Sequence, residues 1–410
     1  VEPNTINYGH IVDFDSCQII DEVLVSIFKA PKSYTKEDVV EINCHGGLFV
    51  TNKIYEQLVL LGARPSEPGE FTKRAFLSGR IDLTKAEAVM DVINAENNAA
   101  LKIANSALNG KISTFVDQKR QELLDIIATI SVNIDYPEYD DVEQLTNEDI
   151  LPKLKTIKLE LEDVLNNAKS AKLLKNGINT VIVGKPNVGK SSLLNTLIGE
   201  NKAIVTNIPG TTRDIVEASI NLGQVTLNLI DTAGIRITED VVEKIGVEKS
   251  KEQINKADII LCVLDGSEPI NEQDKEILNE IKNKCHLTII NKIDLEQKIN
   301  LGEVDDNVLF ISTKNNNTIK ELENKILETL NLNNLFNKDI TYISNARQLE
   351  KINFAIKALD EALTTIENEA TIDFVDIDIR KAWLYLGEIV GQTSTDNLLD
   401  ELFSKFCLGK

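Results

Sequence analysis

The chain has 410 residues, enough for two or three domains with their own cores, and 42% hydrophobic and 27% charged residues describe a soluble globular protein. Against 65 Asp and Glu stand only 44 Lys and Arg, a net charge of −21 that excludes nucleic-acid binding through the general field; a local basic patch or a basic partner would be needed. The five cysteines, Cys17, Cys44, Cys262, Cys285 and Cys407, are odd in number and lack C-x-x-C spacing, which argues against a disulfide framework or zinc site and for a reducing, cytoplasmic compartment.

In chain order, residues 1–79 are expected to form a small α/β unit. Ile20 to Phe28 and Val39 to Asn43 read as strands, and the turn His45-Gly46-Gly47 hands over to an amphipathic helix from Leu48 to Leu61. His45 reads better as a turn residue than as a catalyst. Pro65 to Phe71 reads as a rigid connection. A helical region follows from Thr72 to Lys175, interrupted by a loop from Tyr136 to Asp141. Residues 177–338 alternate strand and helix, the pattern of a mainly parallel sheet. From Asn345 the apolar residues again fall on one helical face. The central apolar run Ile259 to Leu264 is far too short to span a bilayer, and no secretory leader is visible.

The layout predicts an α/β nucleotide domain (177–338) inserted between two parts of a helical domain (80–176 and 339–410), after an α/β domain at 1–79. Insertion is feasible because domain termini often lie close together. A simple string of four domains is the alternative.

The chemistry centres on Gly184-Lys185-Pro186-Asn187-Val188-Gly189-Lys190-Ser191, a G-x-x-x-x-G-K-S loop. It follows a β-branched run, Ile178 to Val183, and precedes a predicted helix, Ser192 to Ile198, ending near Gly199. Glycines let backbone N–H groups point at phosphate oxygens, Lys190 can bridge the β- and γ-phosphates, and the Ser191 hydroxyl can ligate Mg²⁺.

Three further motifs stand in order at predicted strand ends. Asp231-Thr232-Ala233-Gly234 can hold the Mg²⁺ water shell and meet the γ-phosphate. Asn291-Lys292-Ile293-Asp294 places a carboxylate where it can accept from both guanine N1–H and N2–H₂, a donor pair that adenine lacks. Ser312-Thr313-Lys314 can offer N–H groups to guanine O6. Gly210-Thr211-Thr212-Arg213-Asp214 is the expected mobile loop, with Thr212 as a second Mg²⁺ ligand. Ile235 stands where Ras-like enzymes carry the Gln that orients the attacking water, so another group must do so. An arginine finger or a monovalent cation could neutralise the transition-state charge.

The sequence closely resembles the MnmE/TrmE tRNA-modification GTPases over nearly its whole length. The resemblance rests on Glu37-Asp38-Val39-Val40-Glu41, His45-Gly46-Gly47, Pro68-Gly69-Glu70-Phe71-Thr72, Arg74-Ala75-Phe76-Leu77, Ile81-Asp82-Leu83, Ala86-Glu87-Ala88, Asp231 to Arg236, Glu243-Lys244-Ile245-Gly246 and Phe406-Cys407-Leu408-Gly409-Lys410. It implies a tetrahydrofolate-binding domain, a helical domain and an inserted G domain. It implies a cytoplasmic homodimer that works on tRNA with an FAD-dependent partner and installs an aminomethyl-type group at C5 of the wobble uridine. A 5,10-methylene or 5-formyl tetrahydrofolate would be the carbon source.

The resemblance also implies residue roles. Asn187, Thr206, Ile208 and Thr211 match the K⁺ contacts, and Ser191 and Thr212 the Mg²⁺ ligands. Glu243 matches the acid that positions the attacking water. Ser192, Asn207 and Pro209 complete the nucleotide contacts. Glu41, Arg80 and Lys410 match folate-contacting positions, and Cys407 gains a catalytic or substrate-contacting role. The family's first domain begins a few dozen residues earlier, with a strand carrying another folate-contacting Arg.

A GTP-switched ribosome- or RNA-assembly factor is the competing function; such chains usually add a basic RNA-binding module. A dynamin-like membrane GTPase would need an apolar or basic membrane-facing segment, and none is visible.

Overall fold

The computed structural model describes residues 4–135, 147–200, 216–230, 253–304, 306–312, 318–332, 343, 345–368, 371–392, 396–406 and 409. Two compact units emerge. One takes Val1–Met90, Ala107–Leu151 and Lys357–Lys410; the other takes Asp91–Ser106 and Pro152–Ile356.

The first unit opens with strands β1 (Thr5–Val12), β2 (Ile19–Phe28) and β3 (Val39–Asn43), an antiparallel sheet in the order β1-β2-β3. Strand β1 is a segment that sequence reasoning did not assign. Its alternation points Ile6, Tyr8, His10 and Val12 outward and leaves Thr5, Asn7, Gly9 and Ile11 on the better-covered face. The larger side chains therefore lie on the exposed side, the reverse of the usual strand signal.

Helix α1 (Leu48–Leu60) follows, then α2 (Glu70–Leu77). The expected connection Pro65 to Phe71 is thus shorter than read, because its last two residues already belong to α2. Gly69 caps α2 in the left-handed region (φ +68°); a Cβ there would meet the Phe403 carbonyl at 2.7 Å and Phe406 Cβ at 2.8 Å. Only glycine permits that approach.

The helical region divides into α3 (Leu83–Ile93), α4 (Asn98–Leu108), α5 (Lys111–Asp135) and α6 (Asn147–Asn176). The expected loop at Tyr136 to Asp141 lies outside the described residues. The later helices are α7 (Lys190–Glu200), α8 (Glu272–Ile281), α9 (Thr318–Thr329), α10 (Ala346–Glu367), α11 (Ile372–Val390) and α12 (Asp396–Ser404).

In the first unit Leu83, Ala86, Leu399, Phe403 and Phe406 form a core against which Phe76, Ile81, Met90 and Leu402 pack. Helices α5 and α11 are joined by Arg120, whose guanidinium lies 4.2 Å from the Trp383 ring centre and donates through Nε to the Trp383 carbonyl at 3.3 Å.

The second unit is built on a six-stranded sheet of β4 (Ile178–Val183), β5 (Val216–Asn221), β6 (Thr226–Ile230), β7 (Ile259–Asp265), β8 (His286–Asn291) and β9 (Val308–Phe310), in the order β5-β6-β4-β7-β8-β9. All pairings are parallel except β5 with β6. The mainly parallel sheet is therefore as expected. Every residue of β7 is buried, as a central parallel strand covered on both faces requires.

Helical residues Ala99, Ile103, Ala171 and Leu174 join this sheet's core, beside Leu193, Leu197, Leu227 and Leu261. A polar seam holds them in register. The buried Asn97 amide donates to Thr226 Oγ1 (3.0 Å) and to the Leu174 carbonyl (3.1 Å), while its oxygen accepts from Ala100 N (2.7 Å). Lys175 pairs with Asp91 at 2.6 Å.

Candidate nucleotide-binding site

In an open parallel sheet, ligands bind beyond the carboxyl ends of the strands, where successive connections leave in opposite directions. Here β4 lies between β6 and β7, so the switch falls at the end of β4. The loop Gly184–Ser191 begins there.

Its backbone conformations explain its composition. Gly184 has φ +149°, and a Cβ on it would meet the Val263 carbonyl of β7 at 2.4 Å. Gly189 has φ +106°, and a Cβ would lie 2.1 Å from Asn291 Nδ2. Asn187 also adopts a left-handed conformation, at φ +65°. Helix α7 starts at Lys190, two residues before the predicted start, and runs through Gly199 to Glu200. Lys190 and Ser191 therefore sit in its first turn, where unsatisfied N–H groups favour an anion.

Lys190 Nζ donates to the Gly184 carbonyl (2.6 Å) and the Lys185 carbonyl (2.7 Å). Burial holds this ammonium below its usual range. A bound phosphate would offset that desolvation cost, so the site suits an anion. Beneath it the Cys262 thiol is buried and pushed up to about 12, mainly by desolvation, so it is an uncharged core group at neutral pH.

The base-reading motif is tied to the same loop. Asn291, at the end of β8, is 2% exposed and donates through Nδ2 to the Val188 carbonyl at 3.0 Å. Lys292 adopts φ +62° and pairs with Asp265 at the end of β7. Burial would raise the Asp265 carboxyl, but Lys292 and the Ser267 donors outweigh it and hold the group below the usual range. Asp294 is exposed and accepts from Ser312 Oγ at 2.9 Å. The structure thus brings together Gly184, Val188, Gly189, Lys190, Asn291, Lys292, Asp294 and Ser312.

Thr206, Asn207, Ile208, Pro209, Gly210, Thr211, Thr212, Asp231, Thr232, Ala233, Gly234, Glu243, Thr313, Lys314, Cys407 and Lys410 lie outside the described residues. Sequence reasoning missed Asp265 and Asp274. Asp265 could have been found as the carboxylate ending a buried strand. Asp274 carried the N-terminal helix signature Asn271-x-x-Asp274, whose reciprocal capping bonds are both present.

Of the folate candidates, Glu41 sits on β3 opposite Ser26, and Arg80 places its guanidinium 4.6 Å from the Tyr34 ring centre. Both are exposed, and among the described residues no hydrogen bond or ion pair joins them. His45 behaves as a turn residue: its backbone N–H and ring Nδ1 each lie 2.8 Å from an Asp21 carboxyl oxygen. The backbone bond is the main cause holding Asp21 below the usual range. No helix among the described residues is long and apolar enough to cross a membrane.

The chain also matches known proteins along its length. A family model described as the MnmE helical domain matches residues 83–407, and one described as the GTP-binding protein TrmE N-terminus matches residues 1–80. The tRNA modification GTPase MnmE of Bacillus cytotoxicus is 48% identical over 415 residues, covering 100% of this chain and 91% of its own length. The protein of that name from Staphylococcus aureus strain Mu3 is 47% identical, covering 100% of this chain and 90% of its own. Among solved structures, Aquifex aeolicus Era Y63A bound to GDP·AlF4⁻ aligns at 31% identity over 44% of this chain and 66% of that one; its TM-score of 0.29 is too low to bear on the fold.

Proposed function

The chain belongs to the MnmE family of tRNA modification GTPases and is itself a GTPase; from that premise we propose that its hydrolysis drives wobble-uridine modification. The reaction would install an aminomethyl or carboxymethylaminomethyl group at C5 of the uridine at tRNA position 34, with an FAD-dependent partner. The observation that carries the reading is the bond from Asn291 to the Val188 carbonyl, which ties the guanine-reading motif to the phosphate loop.

Each residue has a derivable task. Asp294, set by Ser312, accepts the two guanine donors and discriminates against adenine, which would leave the carboxylate facing no donor pair. The first-turn N–H groups of α7 bind phosphate oxygens. Lys190 exchanges its two carbonyl partners for β- and γ-phosphate oxygens without leaving its place.

The donor set fits hard cations: Ser191 with Thr212 would hold Mg²⁺, and Asn187 with Thr206, Ile208 and Thr211 would hold K⁺. Such ions would supply positive charge to offset that of the transition state, the work of an arginine finger elsewhere. Glu243 would orient the attacking water, because Ile235 cannot. Two G domains facing each other in a homodimer would order these loops. Glu41, Arg80 and Lys410 would hold a tetrahydrofolate derivative, with Cys407 close to the substrate. With a net charge of −21 on this chain, the partner would supply most of the tRNA-binding surface.

The test is the steady-state GTPase rate in K⁺ and in Na⁺. The native chain should be fast only in K⁺, Asn187→Ala should lose the K⁺ response, and Glu243→Ala should lower kcat with GTP binding nearly unchanged. Equal native rates in the two salts, or full kcat in Glu243→Ala, would overturn this assignment.

A further inference from the structure

Lys185, the second residue of the phosphate loop, is not a solvated loop side chain. Its ammonium lies 3.1 Å from Asp274 Oδ2 and 3.1 Å from Glu268 Oε2. The Lys185 side chain is 10% exposed and that of Asp274 only 4%, whereas that of Glu268 is 59% exposed. Asp274 is itself fixed, because Oδ2 also accepts from Asn271 N at 3.2 Å in the cap of α8. Its Oδ1 is buried with no hydrogen-bond partner among the described residues. Desolvation would lower the Lys185 ammonium, but the bonds to Asp274 and Glu268 outweigh it and hold the group above its usual range.

The other end of Lys185 faces the phosphate seat. Its backbone carbonyl accepts from Lys190 Nζ at 2.7 Å. A continuous path therefore runs from the cap of α8 through Asp274 and the Lys185 side chain to the ammonium of Lys190. The loop needs such a tether. Gly184, Asn187 and Gly189 all have positive φ, so no regular backbone ladder holds the turn.

We propose that Asp274 is a positioning residue for GTP, which acts through Lys185 to hold the phosphate-binding Lys190 in place before the nucleotide arrives. This rests on the reading of Lys190 as the phosphate ligand. Glu268 contributes little, because a mostly exposed ion pair is screened by water. Removing one partner of the buried pair instead leaves the other charge uncompensated.

The experiment titrates the full chain with fluorescent GDP and GTP. Asp274→Asn keeps the shape and a capping oxygen but removes the charge, and should weaken both nucleotides about tenfold. Lys185→Met should do the same. The double variant should be no weaker than the weaker single, because both break one tether. Lys185→Arg, which restores a cation, and Glu268→Gln should bind within about twofold of the native chain. Should Asp274→Asn fail to fold, the contrast between Lys185→Met and Lys185→Arg still decides, since a general loss of packing would not be rescued by arginine.

Lys190→Ala separates the two readings. If it loses nucleotide while Asp274→Asn and Lys185→Met bind normally, the tether is overturned and the phosphate ligand stands. If Asp274 and Lys185 losses multiply in the double variant, the two do not act as one path and the proposal fails. If Lys190→Ala binds nucleotide like the native chain, the reading of the loop falls and the tether with it.

Discussion

At the carboxyl edge of the six-stranded sheet, the candidate side chains are held by bonds to other parts of the site: Lys190 by two loop carbonyls, Asn291 by Val188, Lys292 by Asp265, Asp294 by Ser312. The three-stranded sheet and its neighbour α2 are different. Glu41 and Arg80 face solvent, and Arg64 reaches Glu70 from a side chain that is 65% exposed. A preorganised site spends its rigidity before the ligand arrives, so small steric changes there cost binding. An open surface tolerates change.

The largest expected effect comes from closing the approach between the phosphate loop and Asn291. Gly189→Ala would place a Cβ 2.1 Å from the Asn291 amide at a φ of +106°, and that amide could move aside only by giving up its bond to the Val188 carbonyl. GTP affinity should fall more than about a hundredfold, roughly 2.7 kcal/mol, with the far-ultraviolet spectrum unchanged. Native affinity in this variant would show that the loop is not preset.

Asp294→Asn should cost less and change the preference. One acceptor becomes a donor facing a guanine donor, a loss of about 1–3 kcal/mol, while xanthosine triphosphate should gain. Titration with both nucleotides decides, and the absence of a swing would mean that the base lies elsewhere.

The smallest effect tests the open region. The hydrogen bonds from Arg64 are the main cause lowering Glu70 from 4.5 to about 2, with the Glu67 N–H second. A depressed carboxylate stabilises the fold fully above its unfolded value and loses that contribution as pH falls from about 4.5 towards 2. Arg64→Ala should move the Glu70 midpoint up only part of the way in a carbon-detected NMR titration, because the Glu67 N–H and Arg74 still favour the carboxylate. Thermal stability at neutral pH should change little, since Arg64 is mostly in water. An unmoved midpoint would assign the shift to the backbone bond instead.

Two motifs of the candidate site were legible because fixed residue types stand at fixed spacing: the Gly184–Ser191 loop and the Asn291–Asp294 motif fall at the strand ends where they were expected. Strand β1 was not legible. Its inward positions are Thr5, Asn7, Gly9 and Ile11, so apolarity marks the wrong face. Asn97 and Asp274 were not legible as contacts, because each acts on a segment far away in sequence: Thr226 for one, Lys185 for the other. The division of the helical run was missed in part because Gly79 and Gly110, both at positive φ, end turns inside what reads as one periodic stretch.

The most direct test of the central claim is mass spectrometry of wobble-uridine nucleosides from cells whose only copy of this protein carries Lys190→Ala, beside cells with the native chain. The account predicts that the C5 modification disappears in the variant, because the proposed reaction depends on hydrolysis of GTP held at this loop. Modification at the native level would contradict it.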